Sequence, residues 1–174
     1  MKKFELTSET KINIFGKKLF RIKALISFAD VEAGETGGWV EKEGNVNQSG
    51  NAWVYGDAMV YGDAEVYGDA KVSGDAEVSG DAEVSGNAKV YGDAMVYGDA
   101  MVYGDADYTT IHGFGTQFRT TTFFRCKDKK VRVACGCFFG TIPEFREQVK
   151  NTRKGKIAEE YLMIADLMEN HFEK

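Results

Sequence analysis

Glycine returns every sixth residue, at 38, 44, 50, 56, 62, 68, 74, 80, 86, 92, 98 and 104. A chain punctuated at that interval has few folds open to it. Helices need roughly ten or more residues between breakers, so an α-solenoid is excluded. In its regular part each hexad reads Gly-Asp/Asn-Ala-x-Val-Tyr/Ser, from Gly50-Asn51-Ala52-Trp53-Val54-Tyr55 onward. Ala and Val stand two apart around a variable residue, the pattern of a short strand whose alternate side chains face opposite ways, so Ala and Val face inward. Gly-Asp and Gly-Asn make the corner, because glycine tolerates positive φ and Asp or Asn bonds its own local backbone. The fold is therefore a parallel β-helix.

The coil length can be read internally. The residue after Val is Tyr at 55, 61 and 67, Ser at 73, 79 and 85, and Tyr again at 91, 97 and 103. A pattern that changes in blocks of three implies three hexads, 18 residues, per coil. Twelve hexads from Gly38 to Thr109 then make four coils, about 19 Å of stack at roughly 4.8 Å per strand layer. Such a stack has open ends that need caps. This divides the chain into an N-terminal cap (1–37), the repeat (38–109) and a C-terminal unit (110–174). Residues 11–24 alternate apolar positions around a Gly16-Lys17 turn and read as a hairpin. Residues 119–126 and 130–139 read as two strands joined by Lys127-Asp128-Lys129. Thr141-Ile142-Pro143-Glu144 is a capping-box helix start, with Ile142, Phe145 and Val149 on one face. A second helix from about Ile157 carries Ile157, Tyr161, Ile164, Ala165, Met168 and Phe172 on one stripe.

Three segments, Arg21-Ile22-Lys23-Ala24-Leu25, Ala33 through Val40 and Gly50 through Tyr55, resemble hexapeptide-repeat proteins of bacteria and prophages that are often described as transferases. Thr121 through Arg125, Cys135-Gly136-Cys137-Phe138 and Gly140 through Arg146 resemble the C-terminal part of the phage and prophage branch. The resemblance implies a left-handed helix, although here Gly does not directly follow the aliphatic residue as it commonly does in that family. It also implies a threefold-symmetric trimer and, for a phage protein, the cytoplasm of a host cell. The wider class consists mainly of acyltransferases that use acyl-CoA and a His general base. No His lies between Gly38 and Thr109, so His112, just past the last hexad, is the residue such a reaction would use. Fold alone does not choose an activity, and a non-enzymatic binding protein is the leading expectation, with a structural virion or assembly part as a further alternative.

The three cysteines are an odd number and fit a reducing compartment rather than a disulfide framework. No apolar segment follows the charged N-terminus as a secretory leader would, and no apolar run is long enough for a membrane span. Cys126, Cys135, Cys137 and His112 are the ligand types of a zinc site. A Cys-x-Cys pair on a strand would instead place small apolar side chains beside Val131, Val133 and Phe139, and that reading is preferred. No metal or cofactor is expected, since turn chemistry accounts for the Asp columns of the repeat.

Charge is polarised. Residues 38–109 carry 3 Lys against 14 Asp and Glu, whereas residues 110–174 carry 12 basic and 8 acidic side chains. Within 119–132, Arg119, Arg125, Lys127, Lys129, Lys130 and Arg132 face only Asp128, interleaved with Thr120, Thr121, Thr122, Phe123 and Phe124. Guanidinium, hydroxyl and aromatic groups in one hairpin suit a phosphate-bearing or nucleotide ligand, with Arg119, Thr121, Thr122, Arg125, Lys127 and Arg132 as the candidate set. The acidic rod offers a second partner class, a host protein that binds nucleic acid, and a host-takeover or anti-defence role follows from either. Outward-facing Met59, Tyr61, Met95 and Tyr97 on one face, and Met101 and Tyr103 on another, are expected to make the subunit contacts of the trimer.

Overall fold

The computed structural model describes residues 1–173, and over them the chain is a left-handed parallel β-helix of about four coils, with a β-sheet at each end and two C-terminal helices. Nine two-residue strands form its regular part: β4 (Trp53–Val54), β5 (Met59–Val60), β6 (Glu65–Val66), β7 (Lys71–Val72), β8 (Glu77–Val78), β9 (Glu83–Val84), β10 (Lys89–Val90), β11 (Met95–Val96) and β12 (Met101–Val102). They stack as three parallel faces, β5-β8-β11, β4-β7-β10 and β6-β9-β12. Met59 pairs with Glu77 and Glu77 with Met95, the 18-residue offset that the Tyr-Ser-Tyr blocks predict. Every Ala from Ala52 to Ala100 and every Val from Val54 to Val102 in these hexads is fully buried. The interior is thus a closed column of small side chains.

The corners depend on glycine at the nine positions from Gly50 to Gly98, where φ lies between +60° and +73°. Stacking adds a second demand in the middle of the column. A methyl group on Gly74 would meet Gly92 N at 2.9 Å and Gly92 O at 3.0 Å, whereas Gly92, with no coil above it, has open space.

The outermost hexads depart from the repeat. Gly38, Gly44 and Gly104 do not take positive φ. The first coil is longer: Trp39 of β3 (Thr36–Val40) pairs with Met59 and Val46 bridges Val66, both at an offset of 20 residues, whereas Trp53 pairs with Lys71 at 18, so the two extra residues lie between Val46 and Trp53. The Gly104 hexad places Tyr108 in the Val slot, too large for the column. It becomes a 3-10 turn, Asp105–Asp107, that leads into the C-terminal sheet.

Hydrogen bonds between coils run both ways, as in any parallel ladder, but unequally: the N–H groups before and after each Val donate to the next coil, as in Trp53 to Ala70 and Tyr55 to Val72, and the paired Val donates back. The first coil is left chiefly with bare carbonyls and the last chiefly with bare N–H groups, and the caps supply partners for them. At the start, Lys3 Nζ donates to Ala52 O at 2.8 Å, Asn45 Nδ2 to Ala64 O at 2.8 Å and Gly62 O at 3.1 Å, and Arg21 Nη1 to Gly56 O at 2.8 Å. At the end, Asp105 Oδ1 accepts from Lys89 N, Asp107 Oδ2 from Tyr103 N and Thr122 Oγ1 from Met95 N, each at 3.0 Å.

The N-terminal cap is the expected hairpin, longer than its alternation indicated. β1 (Phe4–Ile12) pairs with β2 (Lys18–Ala24), and β2 pairs antiparallel with β3, so the cap extends one face of the column. The C-terminal unit is a four-stranded antiparallel meander rather than one hairpin: β13 (Tyr108–Phe114), β14 (Arg119–Arg125), β15 (Val131–Cys135) and β16 (Phe138–Thr141). The strand expected over 130–139 is broken at Gly136-Cys137, where Gly136 at φ +61° opens a two-residue turn, and Cys137 therefore lies in a turn and not on a strand face with Cys135. α1 (Ile142–Thr152) and α2 (Gly155–Phe172) pack on the outer face of this sheet around Phe123, Phe145 and Tyr161. Thr141 and Glu144 make the expected capping box. Phe124 and Ala134, on the inner face, join the core of the β-helix.

Two outcomes follow for stability. Gly92→Ala should cost about 1 kcal/mol, the strain of a side chain at positive φ, while Gly74→Ala at the same φ should cost clearly more through its contact with Gly92, as read by urea denaturation. Burial pushes the Lys3 ammonium down from 10.5 to about 8. Between those values the unfolded chain holds the proton and the folded chain sheds it, so stability rises with pH. Tyr61, Tyr97 and Tyr108, pushed up from 10 by burial, act in the opposite direction only near and above that value. Cys126, raised from 9 to about 12, acts in that opposite direction from about pH 9. From about pH 8 to about pH 9.5 stability should therefore change by roughly 1 kcal/mol more favourably in the wild type than in Lys3→Met, in which it should fall.

Candidate functional site

The meander brings two turns to the same end of its sheet. The β13–β14 connection and the β15–β16 turn both lie there, because successive connections alternate ends and these are the first and third. α1 starts from the opposite end, after β16, and runs back, so its C-terminal turn reaches the same place. Between these three segments lies a cavity of about 470 Å³, within the range of small-molecule sites. Phe114, Phe138, Phe145 and Val149 give it an apolar wall, and Arg119, Arg153, Gln148 and Tyr161 bring polar groups to it. Tyr161 Oη donates to Phe114 O at 3.2 Å. Burial, and next to it the neighbouring Cys135, raise the Tyr161 hydroxyl above its ordinary range, so it remains a neutral donor.

The arginines decide the electrostatics of this cavity. The chain has six. Arg21, Arg125, Arg132 and Arg146 each have a carboxylate within 4 Å, at Asp57, Asp107, Asp128 and Asp166. Among the described residues Arg119 and Arg153 make no ion pair, and both line the cavity. No Asp or Glu lines it with them. The next segment of chain adds to the imbalance: α2 begins after Lys154 with no side-chain cap, no acidic residue in its first turn and Lys156 there instead. A helix N-terminus favours negative charge, and here no side chain provides it.

The residues picked out from sequence are dispersed. Arg119 opens β14 at the cavity. Thr121 is buried two residues on, with Oγ1 donating to Cys135 Sγ at 3.1 Å. Thr122 points to the opposite face, as the acceptor for Met95 N described above. Arg125 lies at the far end of the strand, donating to Phe172 O at 2.8 Å and covering the Phe172 ring. Lys127 pairs with Glu83 at 2.9 Å and Arg132 with Asp128 at 2.7 Å. Arg153 carried no separate signal beyond its place in the acid-free run from Lys150 to Lys156.

His112 is exposed on β13. Its Nδ1 lies 3.0 Å from Thr120 Oγ1, which donates to Asp93 Oδ2 at 3.4 Å, and it is not among the residues that line the cavity. Cys126 sits in the β-helix core, away from Cys135 and Cys137, and among the described residues no three His, Cys, Asp or Glu side chains stand close enough to hold a metal ion. Burial and the adjacent Asp99 push the Cys126 thiol up to about 12.

The first Tyr and Met face is largely covered within the chain. Met59 and Tyr61 pack with Leu19 and Trp39 under the N-terminal hairpin, whose Phe15 ring lies 6.4 Å from that of Tyr61. Met95 and Tyr97 pack against the core, and the ring of Phe139 lies 5.8 Å from that of Tyr97. On the other two faces Tyr91 is 61% exposed and Tyr103 47%, with Met101 half-buried beside Tyr103.

By fold the chain is a left-handed β-solenoid, with a cavity in its C-terminal cap lined by two arginines and no carboxylate. Neither a protein-family model nor a curated protein matches it. Among the described residues no helix is long and apolar enough to cross a membrane.

The dispersal predicts a split among the basic residues: Lys127→Ala removes only a surface ion pair and should change stability by less than about 1 kcal/mol. Thr122→Val strands the Met95 N–H and should cost about 1–3 kcal/mol in the same denaturation measurement.

Proposed function

We propose that the protein is a non-enzymatic binding protein that holds a small organic anion, a phosphate or carboxylate on an aromatic or apolar body such as a nucleotide, in the cavity between the two meander turns and α1. One observation carries the reading: the two arginines without a carboxylate partner are the two that line the cavity. Both residues are exposed, so their guanidinium groups stay solvated and available in the free protein, and bonds from Arg to phosphate or carboxylate are among the stronger ones a protein makes. The phenylalanines supply surface for the uncharged part of the ligand. The resemblance of residues 121–146 to phage proteins supports a setting in which the ligand is a host signal held out of circulation. The threefold assembly that the resemblance implies would use the faces that carry Tyr91 and Tyr103, since the hairpin and Phe139 occupy the third.

Calorimetric titration with nucleoside mono-, di- and cyclic phosphates tests the reading. Wild type should bind at least one of them, Arg119→Ala and Arg153→Ala should each weaken it about tenfold or more, and Lys127→Ala should bind as wild type does. Wild type that takes up none of them at millimolar concentration overturns it, as does equal loss in all three variants, which is the mark of diffuse attraction.

A further inference from the structure

Two of the three cysteines lie on the turn that supports Arg119. Gly136 leaves the notch that the guanidinium fills: a methyl group there would stand 2.5 Å from Arg119 Nη1, so the guanidinium lies directly on the backbone of the turn. Cys135 and Cys137 flank that notch and both line the cavity, Cys137 exposed and Cys135 half-buried. Thr121 Oγ1 donates to Cys135 Sγ. Sulfur carries negative charge as it attacks and as it leaves, and here that charge meets guanidinium and hydroxyl groups and no carboxylate. The anion site has no evident need of two thiols. Cys126 offers the contrast, buried in the core with its thiol pushed up to about 12.

We propose that Cys135 and Cys137 are a redox-active dithiol that closes into a disulfide and, by reshaping the turn beneath Arg119, lowers the affinity of the cavity for its anion; the second half rests on the binding function proposed above. The oxidant is a low-molecular-weight disulfide. The Cys137 thiolate attacks one sulfur of it, forming a mixed disulfide and expelling one thiolate. The Cys135 thiolate then attacks the Cys137 sulfur, forming the intramolecular bond and expelling the second. The two protein thiols give up two electrons and two protons, and the reagent is reduced to two thiols. A bridge that spans one residue is strained, and strained disulfides are the readily reversed, regulatory ones.

The full chain is incubated with excess 2-hydroxyethyl disulfide, its remaining thiols are alkylated, and the product is read by intact mass and peptide mapping. The expected product has lost two hydrogens, with Cys135 joined to Cys137 and Cys126 free. Cys137→Ser, a change at an exposed position, should form no such bridge. Inert thiols, a stable adduct on Cys137 alone, or a bridge to Cys126 overturn the dithiol. Titration with the nucleotide that the reduced protein binds should then show about tenfold weaker binding by the bridged form, restored by a reducing agent. Equal affinity in a form shown by mass to be bridged overturns the control of binding while the dithiol stands. A reduced protein that binds no nucleotide removes the cavity reading alone, because the mass result does not depend on it.

Discussion

The hydrogen-bond ladder of this β-helix is unequal in its two directions, and the rest of the chain is arranged around that fact. Each coil gives most of its bonding N–H groups to the next and receives back only that coil's Val N–H groups, so the two ends of the column are chemically different. One presents chiefly acceptors and the other chiefly donors, and a buried backbone group without a partner costs on the order of 1–3 kcal/mol. The ends must therefore be closed by different chemistry. An ammonium, a carboxamide and a guanidinium close the first coil through Lys3, Asn45 and Arg21. Two carboxylates and a hydroxyl close the last through Asp105, Asp107 and Thr122. Lys3 is the demanding case, because its charge is buried without a carboxylate beside it and is held by carbonyls and by the Phe28 ring.

The column was legible because its signal is periodic. A six-residue interval admits few corners, and the change from Tyr to Ser and back in blocks of three sets the coil at 18 residues without any knowledge of the structure. Legibility ended where the period did. The Gly104 hexad has the right spacing, but it has no coil above it and Tyr108 in place of Val, so it turns away. In the meander, alternation from Lys130 to Phe139 reads as one strand, since a two-residue turn interrupts the pattern without a long polar gap, and Gly136 was the one mark of it.

The candidate site was only partly legible, for a different reason. Six basic residues against one acid between 119 and 132 is an excess along the chain, not in space. Asp107 and Glu83 arrive from the β-helix and pair with Arg125 and Lys127, and the local acid, Asp128, serves Arg132. What local composition cannot count is carboxylates supplied by distant segments. Subtracting them leaves Arg119, Lys129 and Lys130, of which Arg119 alone lines the cavity, and folding adds Arg153 from 34 positions further on.

The placement of the cavity follows from the same architecture. A column filled with alanine and valine on an 18-residue repeat has no room for a ligand inside, and widening one coil would break its register with both neighbours. Concave space becomes available where the repeat stops. There the capping sheet is held to the last coil by Thr122 and Phe124 on its inner face, which fixes the register of β14 and leaves its outer face and its turns free of the ladder. The sequence of those turns is consequently released from the six-residue rule. It is in that released segment that unpaired arginines, cysteines and a glycine notch occur together, on a base made rigid by the coils beneath it.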